Sequence, residues 1–439
     1  MTRATRAVAV AVAVVVTAAL AACTTPAATP PTTTTPKTYD GKVLADVRHP
    51  AGASTLPSGR NDYREPADVR ADLEQAAKAR PDVVRVVDLP HKSVQGKAVP
   101  ALEIAHHVQT DDGRPVFLLM GGIHANEWPG VEVATEFAMD LAEQDGRDPR
   151  ITALLDHVRV IVVPVVNPDG FEASRTGRIP DKRKNCDPTC GTKVDPDTGA
   201  DDAGVDLNRN FGVNWGGPGS SGDRTGGDYR GPKAFSEPET QNIRDLVTGH
   251  QVTVLVGLHT YGDMNLRPPG QNASPLTPDE AVYAELGNEM AEANGYPSHL
   301  SRELYETSGT AEEWSYFTTG GLGFETELNG DSNHGPFASS VLSQYAGERE
   351  ALLRDAEAAA NPKYHSRIAG NVPAGTKLEL SKPGLRTTMT ADGPFTWDVN
   401  PSIRPGPDGR NIEESWTLQC PGRTVQVTLA RGETKQVSC

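Results

Sequence analysis

The stretch VFLLM at residues 116–120, followed at once by GGIHANEWPG at residues 121–130, decides the fold class of this chain. Five consecutive apolar residues that end in a glycine pair are typical of a strand buried on both faces of a sheet. Residues 158–166, VRVIVVPVV, form a second run of the same kind. Such runs favour a sheet with many parallel strands that is covered by helices.

Helical patterns alternate with these strands. One helix is predicted to begin at Pro66 and to end before Pro81. Another is predicted to begin at Ser236 with a capping box, in which Ser236 caps and Glu239 reaches back. The alternation predicts an α/β fold, with a mixed, largely parallel sheet and helices on both faces. The remaining predicted helices span 131–141, 278–294 and 337–360, and the remaining strands span 83–87, 102–105, 252–258 and 323–328.

The character of the sequence changes after residue 360. Short β-branched pieces between 376 and 437 are separated by Pro and Gly. This pattern predicts a small all-β, sandwich-like domain over 361–439.

The amino terminus indicates where in the cell the protein is found. Arg3 and Arg6 precede a short apolar run that ends in Cys23, which resembles a bacterial lipoprotein signal over residues 1–22 with a lipid anchor on Cys23. An ordinary secretory signal is the alternative, and both predict export. Residues 23–59 begin with a Thr/Pro-rich stretch and are interpreted as a tether.

A net charge of −16 with no basic block argues against nucleic acid as a partner.

Four further cysteines fit an exported protein. Proximity in the sequence favours the disulfides Cys186–Cys190 and Cys420–Cys439. A metal site at Cys186 and Cys190 is the less favoured alternative, because no further cluster of suitable spacing accompanies them.

A group of His and Glu residues follows the predicted strands. His124 and Glu127 lie on the turn after one strand, and His259 ends another. Taken singly, these residues also fit a surface turn and a structural histidine. In an open α/β sheet, however, strand ends form the crevice where ligands bind. Two imidazoles and one carboxylate with one open position are the ligand set of a catalytic hydrolytic zinc.

Two carboxylates, Glu325 and Glu327, interrupt a third apolar strand, GFETEL at 323–328. Their spacing turns both to the same side. Burying them without a partner is costly, so a nearby cation would explain them. The alternative is an edge strand with solvated Glu side chains.

Together these motifs resemble the zinc metallocarboxypeptidases of the carboxypeptidase A type. GGIHANEWPG, NPDGFEASR, KRKN, VDLNRNFG, YRGPKAFSEPET, LHTY, LYETSG, EEWSY and FETEL occur in that family's order over roughly residues 60–360. The resemblance implies that residues 60–360 are the catalytic domain, with one zinc ion held by His124, Glu127 and His259.

The resemblance also implies roles for single residues. Glu327 matches the general base, and Arg183 matches the arginine that polarises the scissile carbonyl. Asn208 and Arg209 match the pair that grips the substrate's terminal carboxylate. Tyr305 matches the mobile tyrosine that closes over it.

Glu312 lies seven residues after Tyr305, at the position that forms the base of the specificity pocket in this family. An acidic residue there implies a preference for basic C-terminal residues. The alternative is that Glu312 bends away to solvent and leaves a broad apolar pocket.

The resemblance thus implies a monomeric exopeptidase that acts on peptides. The rival interpretations are a cell-wall hydrolase of the same fold, cleaving at diaminopimelate linkages, and a non-catalytic peptide-binding lipoprotein. The Asp/Gly-rich insertion at 195–204 is interpreted as a disulfide-pinned surface loop, with calcium binding as the alternative.

Overall fold

The structure is a computed structural model that describes residues 54–110, 112–192, 201 and 203–439, and the backbone of two short strands, β1 (Thr38–Tyr39) and β2 (Lys42–Val43). The predicted signal peptide, Cys23 and most of the 195–204 insertion lie outside these residues. Within the described part of the chain, no helix combines the length and the apolar character needed to cross a membrane.

An eight-stranded mixed sheet forms the centre of the molecule. Its order is β3-β4-β6-β5-β7-β10-β8-β9. The inner strands β6, β5, β7 and β10 run parallel to one another, whereas β3 and β4 pair antiparallel with their neighbours. β8 pairs antiparallel with β10 and parallel with β9. The carboxyl ends of the four parallel strands therefore share one edge. The strands are β3 (Val84–Asp88), β4 (Pro100–Ile104), β5 (Val116–Met120), β6 (Arg159–Val163), β7 (Val252–Thr260), β8 (Met264–Arg267), β9 (Ser298–Leu300) and β10 (Leu322–Leu328).

Helices cover both faces of this sheet, as the sequence predicts. One face packs against α1, α2, α3, α6 and α9, and the other packs against α5 and the start of α8. The helices are α1 (Pro66–Ala79), α2 (Trp128–Gln144), α3 (Pro149–His157), α4 (Pro168–Arg175), α5 (Pro238–Gly249), α6 (Glu280–Asn294), α7 (Ser301–Leu304), α8 (Ala311–Thr319) and α9 (Tyr345–Ala360).

The predicted N-cap of α5, Ser236, lies one residue before the observed one. The N-cap is Glu237, and no side chain caps the helix. Pro238 occupies the first helical position, where its fixed φ and missing N–H are tolerated. The Ser236 hydroxyl instead donates to the Glu237 carboxylate at 2.7 Å.

The predicted single helix over 337–360 is also wrong in its first part. A π-helical turn spans Ala338–Leu342, and α9 begins only at Tyr345. Serine hydroxyls in this segment bond to backbone carbonyl oxygens, as Ser343 does to Ser339 at 2.6 Å. Such bonds compete with regular helix formation.

The all-β carboxyl-terminal part is present. Two long strands, β11 (Ser366–Lys382) and β12 (Leu385–Val399), are extended by β15 (Trp416–Cys420), β16 (Arg423–Val427) and β17 (Thr434–Gln436). Hydrogen bonding joins these five strands in one sheet, where the sequence suggests a sandwich. A separate short ladder pairs β13 (Arg404–Pro405) with β14 (Asn411–Ile412).

Both disulfides predicted from the sequence, Cys186–Cys190 and Cys420–Cys439, are formed. The predicted boundary at residue 360 coincides with the end of α9. Residues 37–439 nevertheless form one compact unit, so the division into two domains stays a prediction.

Candidate functional site

Neighbouring strands deliver the predicted site residues to one edge of the main sheet. The parallel strands β5, β7 and β10 end side by side, and His259 is the direct cross-strand partner of Glu327. Strand β10 lies between β7 and β8, so it is not an edge strand. Glu327 is only 8% exposed, which excludes the solvated alternative.

The loop after β5 brings two further residues to this edge. A side chain at Gly121 would lie 2.6 Å from the backbone oxygen of Gly130, so only glycine allows this close approach of the loop to α2. The loop carries His124 and Glu127, and both are buried.

The three predicted ligands meet in one cluster. The ligand atoms of His124, Glu127 and His259 all lie within 4.8 Å of one another. The two imidazoles turn their Nδ1 atoms toward each other at 3.0 Å, and Glu127 contacts one at 2.9 Å and the other at 3.1 Å. Two ring nitrogens and a carboxylate thus converge on one point, which fits a divalent metal of the zinc type.

The electrostatics of the cluster also suit a cation. Burial opposes ionisation of Glu127, yet the neighbouring imidazoles lower its pKa. Burial acts against a charged His259, but Glu325 and Glu127 raise its pKa to about 9. Burial, with Glu127 and Glu325 nearby, raises the pKa of Glu327 to about 7 despite His259. A cation held by the ligands would relieve this crowding of carboxylates and lower the pKa of Glu327.

Asp206 connects the cluster to Arg183. Its Oδ1 lies 3.2 Å from Nε2 of His124, the ring nitrogen that faces away from the other ligands. Its Oδ2 accepts two bonds from the Arg183 guanidinium, at 3.0 and 3.1 Å. Burial opposes a charged Asp206, but Arg183 and His124 hold its pKa well below the usual range. Arg183 itself lies 3.5 Å from Glu127, beside the ligand cluster.

A second group of residues is suited to bind an anion. Arg209 is buried and donates to the backbone oxygens of Gly219 and Asn208. Within the described part of the chain, no carboxylate forms an ion pair with Arg209. Its guanidinium lies 5.9 Å from the ring of Tyr305, which is 48% exposed. A buried guanidinium without a counter-ion, beside an exposed tyrosine, is a suitable anchor for a carboxylate.

Asn208 links this group to the sheet. Its side-chain amide donates to Glu325 on β10 at 2.5 Å, and its side-chain oxygen accepts from the backbone of Ala311 at 3.0 Å. The same oxygen of Glu325 lies 3.6 Å from Nε2 of His259, so Glu325 connects the ligand cluster to the anion-binding residues.

Glu312 faces the interior of the protein. It is fully buried, so the alternative in which it turns to solvent is wrong. Its Oε1 accepts from Thr310 at 2.8 Å, whereas its Oε2 accepts no hydrogen bond from any residue that the structure describes. Burial and the nearby Glu325 raise the pKa of Glu312 well above its ordinary value. Gly323 permits this arrangement, since a Cβ there would lie 2.5 Å from the Glu312 backbone oxygen.

Sequence reasoning did not assign Asp206 or the contacts of Glu325. Asp206 stands two residues before Asn208 in the motif VDLNRNFG. A ligand histidine commonly has an acidic partner for its outer nitrogen, which is the signal that could have found Asp206.

Comparison with known proteins agrees with this geometry. A family described as zinc carboxypeptidase matches residues 69–351. Metallocarboxypeptidase A of Trichophyton tonsurans is 28% identical over 268 residues, and carboxypeptidase A2 of Rattus norvegicus is 29% identical over 264 residues. Each of these alignments covers 58% of this chain and 59% of the relative, so the match spans little more than half of either protein.

A solved structure supports the fold. The crystal structure of carboxypeptidase A from Helicoverpa armigera superposes with a TM-score of 0.60 at 27% identity, over 68% of this chain and 74% of that chain. The family match covers well over half of the 439 residues and includes the ligand cluster and Glu327. The chain therefore belongs to the zinc carboxypeptidase family.

Proposed function

We propose that this chain is a zinc-dependent exopeptidase that hydrolyses the C-terminal peptide bond of peptides and proteins. The main support is the combination of a metal-ligand cluster with Arg209, a buried cation that has no carboxylate partner among the residues that the structure describes. The first feature suits hydrolysis, and the second suits recognition of a chain end.

His124, Glu127 and His259 would hold the zinc ion. Bound zinc supplies a Lewis acid that polarises a peptide carbonyl and lowers the pKa of water. Glu327 accepts a proton from the attacking water and passes it to the leaving amine. Arg183, fixed by Asp206, donates to the carbonyl oxygen as negative charge develops there.

Asn208, Arg209 and Tyr305 would bind the end of the substrate. The planar guanidinium of Arg209 holds a terminal carboxylate bidentately. Asn208 adds a polar contact, and the exposed ring of Tyr305 covers the bound end.

Replacement of Arg209 by Ala tests this end recognition. The wild-type protein is expected to cleave peptides with a free C-terminus and to spare the C-terminally amidated forms. Arg209→Ala should lower kcat/KM for free acids by about 30-fold or more, because a buried anchor for a charge is lost. Arg244→Ala on α5, where the arginine also stacks on an aromatic ring, is the control. Equal cleavage of amides and acids by the wild type would favour the cell-wall or endopeptidase interpretations instead.

Within this activity, we infer a preference for basic C-terminal residues. The buried Oε2 of Glu312 accepts no hydrogen bond from the described residues, and a Lys or Arg side chain of the substrate would supply one.

The preference is tested with matched peptides that end in Arg, Lys, Leu and Phe. We expect Arg to exceed Leu in kcat/KM, and Glu312→Gln to reduce that ratio by about 10-fold or more, the usual value of a charged hydrogen bond. Glu313→Gln is the matched control, because Glu313 is equally buried but accepts from the Gly270 backbone at 3.2 Å. A higher rate for Leu or Phe than for Arg would contradict the inference.

Export and lipid anchoring through Cys23 are part of the same proposal. The two disulfides support an oxidising compartment. The wild-type protein should be recovered in the membrane fraction, and the Cys23→Ser protein should leave it. Recovery of the wild-type protein in the soluble fraction would indicate a secreted form without lipid.

A further inference from the structure

Glu325 occupies an unusual place between two functional groups. It lies on β10 and is 6% exposed. One oxygen, Oε1, accepts from the Asn208 amide at 2.5 Å and lies 3.6 Å from Nε2 of His259. The second distance is that of an ion pair and is longer than a hydrogen bond. Glu325 therefore contacts both a metal ligand and a residue of the end-binding group.

The space between Glu325 and His259 is open because of a glycine. Gly257 is the cross-strand partner of Glu325 on β7, two residues before His259. A Cβ at this position would lie 3.6 Å from Nε2 of His259 and 3.8 Å from Cγ of Glu325. Any larger side chain would extend into the space between the two groups.

The contacts of Glu325 parallel those of Asp206. Asp206 faces the outer nitrogen of His124 and also holds Arg183. Glu325 faces the outer nitrogen of His259 and also holds Asn208. Each imidazole of the ligand cluster thus has a buried carboxylate behind it, and each carboxylate fixes one residue that would contact substrate.

Stability alone does not account for a carboxylate at position 325. Placing a charge in the protein interior costs several kcal/mol unless it is well paired. A neutral amide of the same shape would keep the hydrogen bond from Asn208 and avoid that cost.

We propose that Glu325 is a positioning residue that orients the metal ligand His259 and the substrate-binding Asn208 together. It places a carboxylate 3.6 Å from the outer nitrogen of His259, on the side opposite to Asp206 and His124, and it accepts a hydrogen bond from the amide of Asn208. The metal-binding part of this inference stands on the ligand geometry, and the part through Asn208 rests on the proposed exopeptidase function.

Zinc affinity is the first test and needs no substrate. The dissociation constant is measured by competition with a chromophoric chelator for the wild type and for Glu325→Gln, with Asp206→Asn for comparison. We expect Glu325→Gln to bind zinc about 10- to 100-fold more weakly, the usual effect of losing such a partner. Glu348→Gln on α9 is the control, because Glu348 is equally buried but lies outside the site. Wild-type affinity in Glu325→Gln overturns the proposal.

A melting curve of the metal-free protein separates positioning from simple structural support. A positioning role predicts that Glu325→Gln melts at or above the wild-type temperature. A Tm that falls together with the zinc affinity would assign the residue a structural role and overturn the proposal.

The contact with Asn208 is tested by a double-mutant cycle at saturating zinc. Glu325→Gln and Asn208→Ala should each raise KM for a peptide with a free C-terminus, with a smaller change in kcat. In the double variant the increase should be no larger than in Asn208→Ala alone, because Glu325 acts through Asn208. If the two single-variant increases in KM multiply in the double variant, the residues act independently, and the inferred role of Glu325 at Asn208 is overturned. If the wild type cleaves no peptide, the exopeptidase function fails, while the zinc measurement still decides the role at His259.

Discussion

Glu327→Gln is expected to reduce peptide hydrolysis by about 10²- to 10⁴-fold, the contribution of a positioned general base. Gln keeps the shape of the side chain but cannot accept the proton of the attacking water. Glu327 is not among the three clustered ligands, so the zinc content should stay near one ion per chain. The measurement is kcat on a peptide substrate together with metal analysis of the same sample.

His124→Ala provides the contrast to this variant. It removes one of three protein ligands, so both zinc and activity should be lost. The assignment of Glu327 as the base fails if Glu327→Gln keeps near-normal turnover. It also fails if that variant loses its zinc, since the loss of activity would then follow from the missing metal. A non-catalytic binding protein would show no hydrolysis even in the wild type.

Arg64→Ala is expected to destabilise the protein by about 3–5 kcal/mol, the cost of breaking a buried ion pair from one side. Arg64 precedes α1 and is fully buried. Its guanidinium pairs with Glu132, with Glu136 at 2.7 Å and with Asp72 at 2.8 Å. Glu132 and Glu136 lie on α2 and are themselves buried. Without the arginine, two buried carboxylates of the helix that follows the ligand Glu127 would lose their ion-pair partner.

Urea-induced unfolding of the variants measures this effect. Arg70→Ala is the matched control, because Arg70 also pairs with two carboxylates but at the surface. Exposed pairs contribute about 0–1 kcal/mol, so Arg70→Ala should unfold close to the wild type. Arg64→Lys keeps the charge but lacks the planar guanidinium. Its unfolding midpoint should therefore lie between those of Arg64→Ala and Arg70→Ala. Equal midpoints for Arg64→Ala and Arg70→Ala would contradict the argument.

Local patterns in the sequence were sufficient for the central elements. The apolar run at 116–120 forms β5 with the predicted bounds, and the periodic pattern after Pro66 forms α1 with Val69 and Leu73 buried. These features depend on neighbours in the chain, which the sequence displays directly. The helix starts at 236 and 337 were wrong because proline placement and serine–backbone bonds shift helix ends.

The candidate ligands could be predicted because the topology of the fold is regular. Parallel strands end at one edge, so residues that follow β5 and end β7 and β10 must meet there. His124, Glu127, His259 and Glu327 follow this rule. The family resemblance added Arg183, Asn208, Arg209 and Tyr305, which no local pattern singles out.

The sequence was sufficient to predict the α/β class, the strand ends that carry the ligands and the two disulfides. Each of these depends on short-range spacing or on strand order. The contacts of each buried carboxylate, in contrast, depend on the tertiary structure. Asp206 lies behind His124, Glu325 lies between His259 and Asn208, and Glu312 turns inward. These contacts join residues 66 to 117 positions apart along the chain or depend on side-chain direction. Burial and charge at such places depend on packing from several elements at once, and no single stretch of sequence contains that information.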